Sequence, residues 1–258
     1  MTEPSVTASS LSWLTVAESL KRGALPLRAH PVAIAGIGAA FAAVAVGGCL
    51  LPWLNFPFLL FGLAPWLGGI PSAALDLLDE QRPEPRWLIR GFRHYERYLG
   101  LCWLTYLISA LAAMPWLIAL WLGRQLPADG SMAALLPWFG LAATTGLWSL
   151  LLLPHLFAPF ALAEAASGSL PPATGDVAPG SPSGLERALE LSRRLCSPSL
   201  RRPLLHASAM FFLAVSGLAL FGLGALWTVP WALLSSAAQY RHLRRQLHNG
   251  DAAPLAAG

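Results

Sequence analysis

Residues 98–123, YLGLCWLTYLISALAAMPWLIALWLG, hold no Asp, Glu, Lys or Arg, and Arg97 and Arg124 bracket them. A spanning helix needs roughly 20 predominantly apolar residues, so this stretch is long enough to cross a bilayer. Three further runs are equally free of those residues: Arg28 to Asp76, Asp129 to Glu164, and Arg202 to Arg241. The 258 residues are 55% hydrophobic and 12% charged, about half the charged share of a soluble domain, which leaves too little polar material for a water-facing surface. The expected class is therefore all-α, a polytopic transmembrane helix bundle forming a single membrane domain over 1–258.

Run length alone leaves the number of spans ambiguous, and charge placement decides it. Lys and Arg favour the cytoplasmic side. They cluster here at Lys21, Arg22 and Arg28, at Arg82 to Arg97, at Arg187 to Arg202 and at Arg241 to Arg245. Spans at 31–54, 56–76, 99–122, 133–154, 204–222 and 224–241 place sixteen of the seventeen basic residues on one side, with Arg124 the exception. The fourth helix has room to continue to 166. Both termini are then cytoplasmic and the protein is a multi-pass protein of the cell inner membrane. No signal-peptide apolar region precedes Glu18, Lys21 and Arg22, in keeping with an N-terminus that stays inside. The net charge of +4 sits beside the spans, so anionic headgroups at the cytoplasmic face are the expected partners and nucleic acid is not.

The six spans form three hairpins, each preceded by an amphipathic stretch at the interface: 11–24, 85–98 and 184–196. In the second, Arg86, Arg90, Arg93 and Arg97 repeat at i, i+4, i+7 and i+11, while Leu88, Phe92, Tyr95 and Leu99 follow two residues behind. At about 100° per residue the two sets lie on opposite faces, as in a helix lying in the headgroup layer. Arg193, Arg194, Arg201 and Arg202 are the matching headgroup candidates of the third unit. In the first, Trp13, Val16, Ala17 and Leu20 share a face opposite Thr15, Glu18, Ser19 and Arg22. Ser183-Gly184-Leu185-Glu186 reads as a capping box opening the third.

The Gly-, Pro- and Ser-rich segment 168–184 reads as a disordered cytoplasmic linker and 249–258 as a loose tail. Pro71, Pro159 and Pro230 recur as Pro-x-Ala near the inner end of each hairpin and are candidate hinges. Ala35, Ala39, Ala43 and Gly47 form a four-residue ladder suited to close helix packing or self-association.

Chemistry is sparse. Asp76 and Glu164 come nearest to the apolar interior and read as wetted helix ends. His30, His155 and His206 read as interfacial hydrogen-bonding residues, with no metal expected, and the three cysteines as apolar fillers. No nucleophile motif, phosphate-binding loop or zinc motif is present, so no catalytic residue and no cofactor is expected.

Arg90-Gly91-Phe92 with Tyr95 and Tyr98, Ala188-Leu189-Glu190-Leu191-Ser192, and the closing Pro230 with Ala237 to Arg241 and Leu243 resemble a family of uncharacterised bacterial six-helix integral membrane proteins. The membrane domain of some glycerophosphodiester phosphodiesterases is similar in pattern. The resemblance implies a six-helix fold and supplies no site residues, and no hydrolase activity carries over. The functional expectation is a non-enzymatic inner-membrane interaction, assembly or scaffold component with a membrane-protein partner or self-association. The alternative is a transporter or flippase-like protein for a lipid or apolar solute. An intramembrane enzyme would need His155, Glu164 and His206 to meet in one pocket.

Overall fold

The computed structural model describes residues 11–39, 63–79, 91–125, 131–167, 184–196, 200–219 and 224–252. Every regular element among them is a helix and none is a strand. In chain order they are α1 (Val16–Ala29), α2 (31–39), α3 (Leu63–Leu78), a helical stretch at 91–93 that a turn at His94 ends within the expected 85–98 helix, α4 (Tyr95–Gln125), α5 (Ser131–Leu152), a 3-10 turn (Leu153–His155), α6 (Ala158–Ser167), α7 (Gly184–Cys196), α8 (Arg201–Ala219) and α9 (Ala225–Ala252). The segment 168–183, the ladder residues Ala43 and Gly47, the arginines Arg86 and Arg90, and the capping serine Ser183 lie outside the described residues.

Two segments, Tyr95–Gln125 and Ala134–Ser167, are long and apolar enough to cross a membrane. The central helix of a soluble protein passes the same test but is mostly buried. Here the most apolar window of Tyr95–Gln125 is only 17% buried. Along the hairpin, α4 and α5 pack closely on each other, and Leu107, Leu111, Trp121, Leu135 and Trp138 are left exposed. They approach closely at Gly140, where an added Cβ would meet the Pro115 carbonyl oxygen at 3.0 Å and Trp116 Cα at 3.1 Å. Pro115 interrupts the hydrogen-bond ladder of α4. The Trp116 amide at that point donates across the hairpin to Thr144 Oγ1 at 3.1 Å, the kind of side-chain acceptor that makes a proline tolerable in an apolar helix.

The core lies at the other end, where the basic residues are. Ile34, Leu77, Tyr98, Phe157, Leu195 and Leu243 meet there, drawn from α2, α3, α4, the turn before α6, α7 and α9. The fourth helix does not continue to 166 as one piece. It breaks at the Leu153–His155 turn, and Ser192 of α7 holds the break, its hydroxyl donating to the Pro154 carbonyl at 2.8 Å and accepting from the Phe157 amide at 3.1 Å. Pro159 consequently sits in the first turn of α6, where its missing N–H is no loss.

The first helix begins at Val16, five residues after the expected start, because Thr15 caps it: the Thr15 hydroxyl accepts from the Glu18 amide at 3.2 Å and Glu18 Oε2 accepts from the Thr15 amide at 2.9 Å. Its buried line is Ser19, Gly23 and Pro26, whereas the hydrophobic pattern points to Trp13, Val16, Ala17 and Leu20. The reason is proximity to α9: a Cβ on Gly23 would fall 2.7 Å from the Ser235 amide nitrogen. The Trp231 indole donates to the Leu20 carbonyl at 2.9 Å, and Gln246 exchanges hydrogen bonds with Ser12. On α2, Ala35 is half-buried and Ala39 exposed, and the close contact is made by Gly38 against the backbone of Leu226. At the C-terminal end α9 stays helical to Ala252, so the first residues of the expected loose tail are helix.

Candidate functional site

A carboxylate expected to be wet is buried instead. Glu164 is 2% exposed, and its helix α6 presents it to α9. Tyr240 donates its hydroxyl to Glu164 Oε2 at 2.7 Å and Arg241 donates Nη1 to Oε1 at 2.8 Å. Arg244 forms a second ion pair with Oε1. At 100° per residue Arg244 lies about 40° from Tyr240 and Arg241 about 60° further round, so one sector of about 100° supplies all three groups.

Arg241 reaches further. Its Nη2 pairs with Asp79 at the end of α3, so one guanidinium ties α3, α6 and α9 together. Two carboxylates face two arginines, and the node is electrically balanced. Rings pack around it: Phe160 stacks on Tyr240 with centroids 5.8 Å apart, and Phe157 lies 5.9 Å from the same ring. Burying ions is costly unless they are paired and hydrogen-bonded, and here the pairing is extensive. A cavity of about 390 Å³ opens beside the node, lined by Asp76, Arg93, His94, Tyr98, Glu164 and Arg241 among others.

The arginines proposed for headgroups have different surroundings. Arg93 is exposed at that cavity, and Arg97 is half-buried beside Gly184. Arg193 and Arg194 are exposed on α7, Arg194 pairing with Glu190 at 3.0 Å. Arg202 donates to the Leu11 carbonyl at 3.4 Å, and Arg201 lies in a crevice between α5 and α8.

The three groups an intramembrane enzyme would need are not joined by hydrogen bonds. His206 is buried with Trp13 and Phe157 as ring neighbours, centroids 6.1 and 6.5 Å away. Neither of its ring nitrogens, nor Nδ1 of His155, has a hydrogen-bond partner among the described residues, whereas Glu164 is engaged by α9. Pro71 and Pro230 lie inside α3 and α9, within the packed end rather than at a free bend. On α7, burial pushes the Cys196 thiol up to about 12, which keeps it an unreactive filler. Burial, and then the Arg22 guanidinium, lower the His242 pKa below its ordinary value.

The sequence signal for the node was present but unpaired: a lone glutamate closing one apolar run, and Tyr240-Arg241-x-x-Arg244 closing another. No family model, curated protein or solved structure matches the chain.

Proposed function

We propose that this is a multi-pass inner-membrane protein of about six spans, with cytoplasmic termini, that works without catalysis as an interaction or assembly component. The observation that carries the reading is the α4–α5 hairpin, whose members pack on each other and leave large apolar side chains uncovered on both outer faces. A lipid environment accommodates such faces, and a partner helix can use them. The opposite end is built for rigidity: Arg241 bridges three helices and Ser192 holds the break before α6. A rigid base carrying a projecting apolar hairpin suits a docking element better than an alternating-access machine.

Photo-crosslinkers at Leu117 on α4 and Phe139 on α5 test this in cells. Support is one recurring partner, or a second copy, captured from both positions. Lipid-only crosslinks together with substrate flux in proteoliposomes overturn it.

A second reading, lipid or apolar-solute transport, is favoured by the crevice of about 770 Å³ between α5 and α8, where Trp138, Leu150 and Leu204 lead to Arg201. Its test is lipid movement in proteoliposomes that Arg201→Gln abolishes; unchanged movement in that variant excludes the crevice as the route.

A further inference from the structure

A second cavity, of about 520 Å³, lies between α1, the end of α3 and α9, within the size range of small-ligand sites. Its lining is of two kinds. Leu25, Pro26, Leu77 and Leu78 are apolar, and Leu25 is left 64% exposed at the cavity. Arg22, Arg241, His242 and Arg245 bring positive charge or a titratable ring.

The one carboxylate in the lining, Asp79, is taken by Arg241, which is also held by Glu164. The side chains of Arg22 and Arg245 form no ion pair or hydrogen bond with any described residue. Glu18, one turn before Arg22, spends its hydrogen bonds on the Thr15 cap and attracts Arg22 only at longer range. Neither exposed guanidinium holds a carboxylate in direct contact, so both planar donor forks are open to an anion in the cavity. The exposed leucine beside them is the other half of an amphiphile's requirement.

We infer that this cavity binds a phosphate-bearing amphiphile, its phosphate held between Arg22 and Arg245 and its hydrocarbon lying along Leu25, Leu77 and Leu78. His242, beside them, has its proton affinity lowered first by burial and then by Arg22, with a smaller contribution from Arg245 that the Glu18 carboxylate and the Ser12 carbonyl oppose. A membrane phospholipid is one source of such a group and free phosphate another. The choice of phospholipid rests on the membrane reading above; the cavity itself does not.

The test uses the full chain in detergent, stripped of lipid, titrated separately with dihexanoyl phosphatidylglycerol and with inorganic phosphate, bound species being counted by native mass spectrometry. The short-chain phospholipid binds at one saturable site, and phosphate alone binds at least about tenfold more weakly because it forgoes the apolar wall. Arg22→Gln combined with Arg245→Gln weakens phospholipid binding at least about tenfold, the loss of two charge-assisted contacts. Arg124→Gln, at the far end of α4, leaves it unchanged.

Ala29→Trp provides an independent variant, since Ala29 lines the cavity from an exposed position and a bulky ring there blocks entry without touching the core. Binding undiminished in both cavity variants, or no saturable binding of either probe to the wild type, overturns the assignment. Phosphate binding as tightly as the phospholipid, and lost in both variants, overturns the amphiphile part. Alkaline carbonate extraction is read separately: release of the protein from membranes sinks the membrane reading and leaves the cavity result standing.

Discussion

Replacing Glu164 by alanine removes the acceptor for three donors at once. The Tyr240 hydroxyl is buried, and a buried group left without a partner costs about 1–3 kcal/mol. Removing one member of a buried ion pair costs about 3–5 kcal/mol when the survivor stays dry. The Arg241 and Arg244 side chains keep 24% and 20% of their surface exposed, and Arg241 retains Asp79, so water and the second pair recover part of that loss. The expected destabilisation of Glu164→Ala is therefore about 2–4 kcal/mol. Glu164→Gln keeps an acceptor for Tyr240 but loses the charge and turns an amide NH2 toward the two guanidinium groups, for about 1–3 kcal/mol. Asp79→Asn breaks a pair whose carboxylate is 33% exposed and costs below about 1 kcal/mol. Equilibrium unfolding in mixed detergent micelles, followed by tryptophan fluorescence, gives the three values on one scale. Tyr240→Phe supplies the internal check, since its cost shrinks by about 1 kcal/mol once Glu164 is already alanine. A Glu164→Ala protein within about 0.5 kcal/mol of wild type, or an Asp79→Asn protein less stable than it, refutes the node as the element that locks α3, α6 and α9.

Two glycines on α2 should part company. Gly38→Ala forces a Cβ to within 2.7 Å of Leu226 Cα and costs about 1–3 kcal/mol by overpacking, while Gly36→Ala meets nothing within 4 Å and gains up to about 1 kcal/mol of helix propensity. The same unfolding assay separates them, and equal effects would show that Gly38 does not hold the contact. Leu111→Arg on α4, at a residue 63% exposed, is nearly neutral on a water-facing helix but costs about 2.5–3.5 kcal/mol of insertion at the centre of a span. A membrane-insertion assay showing unchanged partition counts against α4 as a span. His242, being a base with a lowered native pKa, is neutral when folded at pH values where the unfolded chain already takes up a proton. Its contribution to stability is complete above the ordinary value of 6.5 and is lost as pH falls from there through the folded pKa. Stability measured at pH 7.5 and 5.5 should fall less in His242→Gln than in wild type; an equal fall in both excludes this histidine as a source.

The helical class and the two long apolar helices were legible because both follow from local properties, apolar length and the absence of charge. The packing of α1 was not. A hydrophobic pattern measures affinity for an apolar neighbour, and it selected Trp13, Val16, Ala17 and Leu20. The close approach of α9 instead selects for small size, and Ser19, Gly23 and Pro26 satisfy it. Size and apolarity coincide in leucine-rich interfaces and diverge in this one. The break before α6 was half legible: Pro154 marks it, but the hydroxyl that satisfies the freed backbone comes from Ser192, on another helix.

Glu164 was misjudged for a related reason. Its position at the end of an apolar run places it at a depth where a side chain can reach water, and depth was the only quantity a single run could supply. Its partners Tyr240 and Arg241 lie 76 and 77 residues further along the chain. What the runs share is their polarity of construction: one ends in a carboxylate, another in Tyr-Arg-x-x-Arg, and helices ending on the same side bring those ends to one level. Charged groups of opposite sign closing separate apolar runs are thus candidates for one another before they are candidates for solvent. Along α9 and its neighbour α1 the arginines differ accordingly: Arg241 and Arg244 are neutralised from within by Glu164 and Asp79, whereas Arg245 and Arg22 form no ion pair with a described residue.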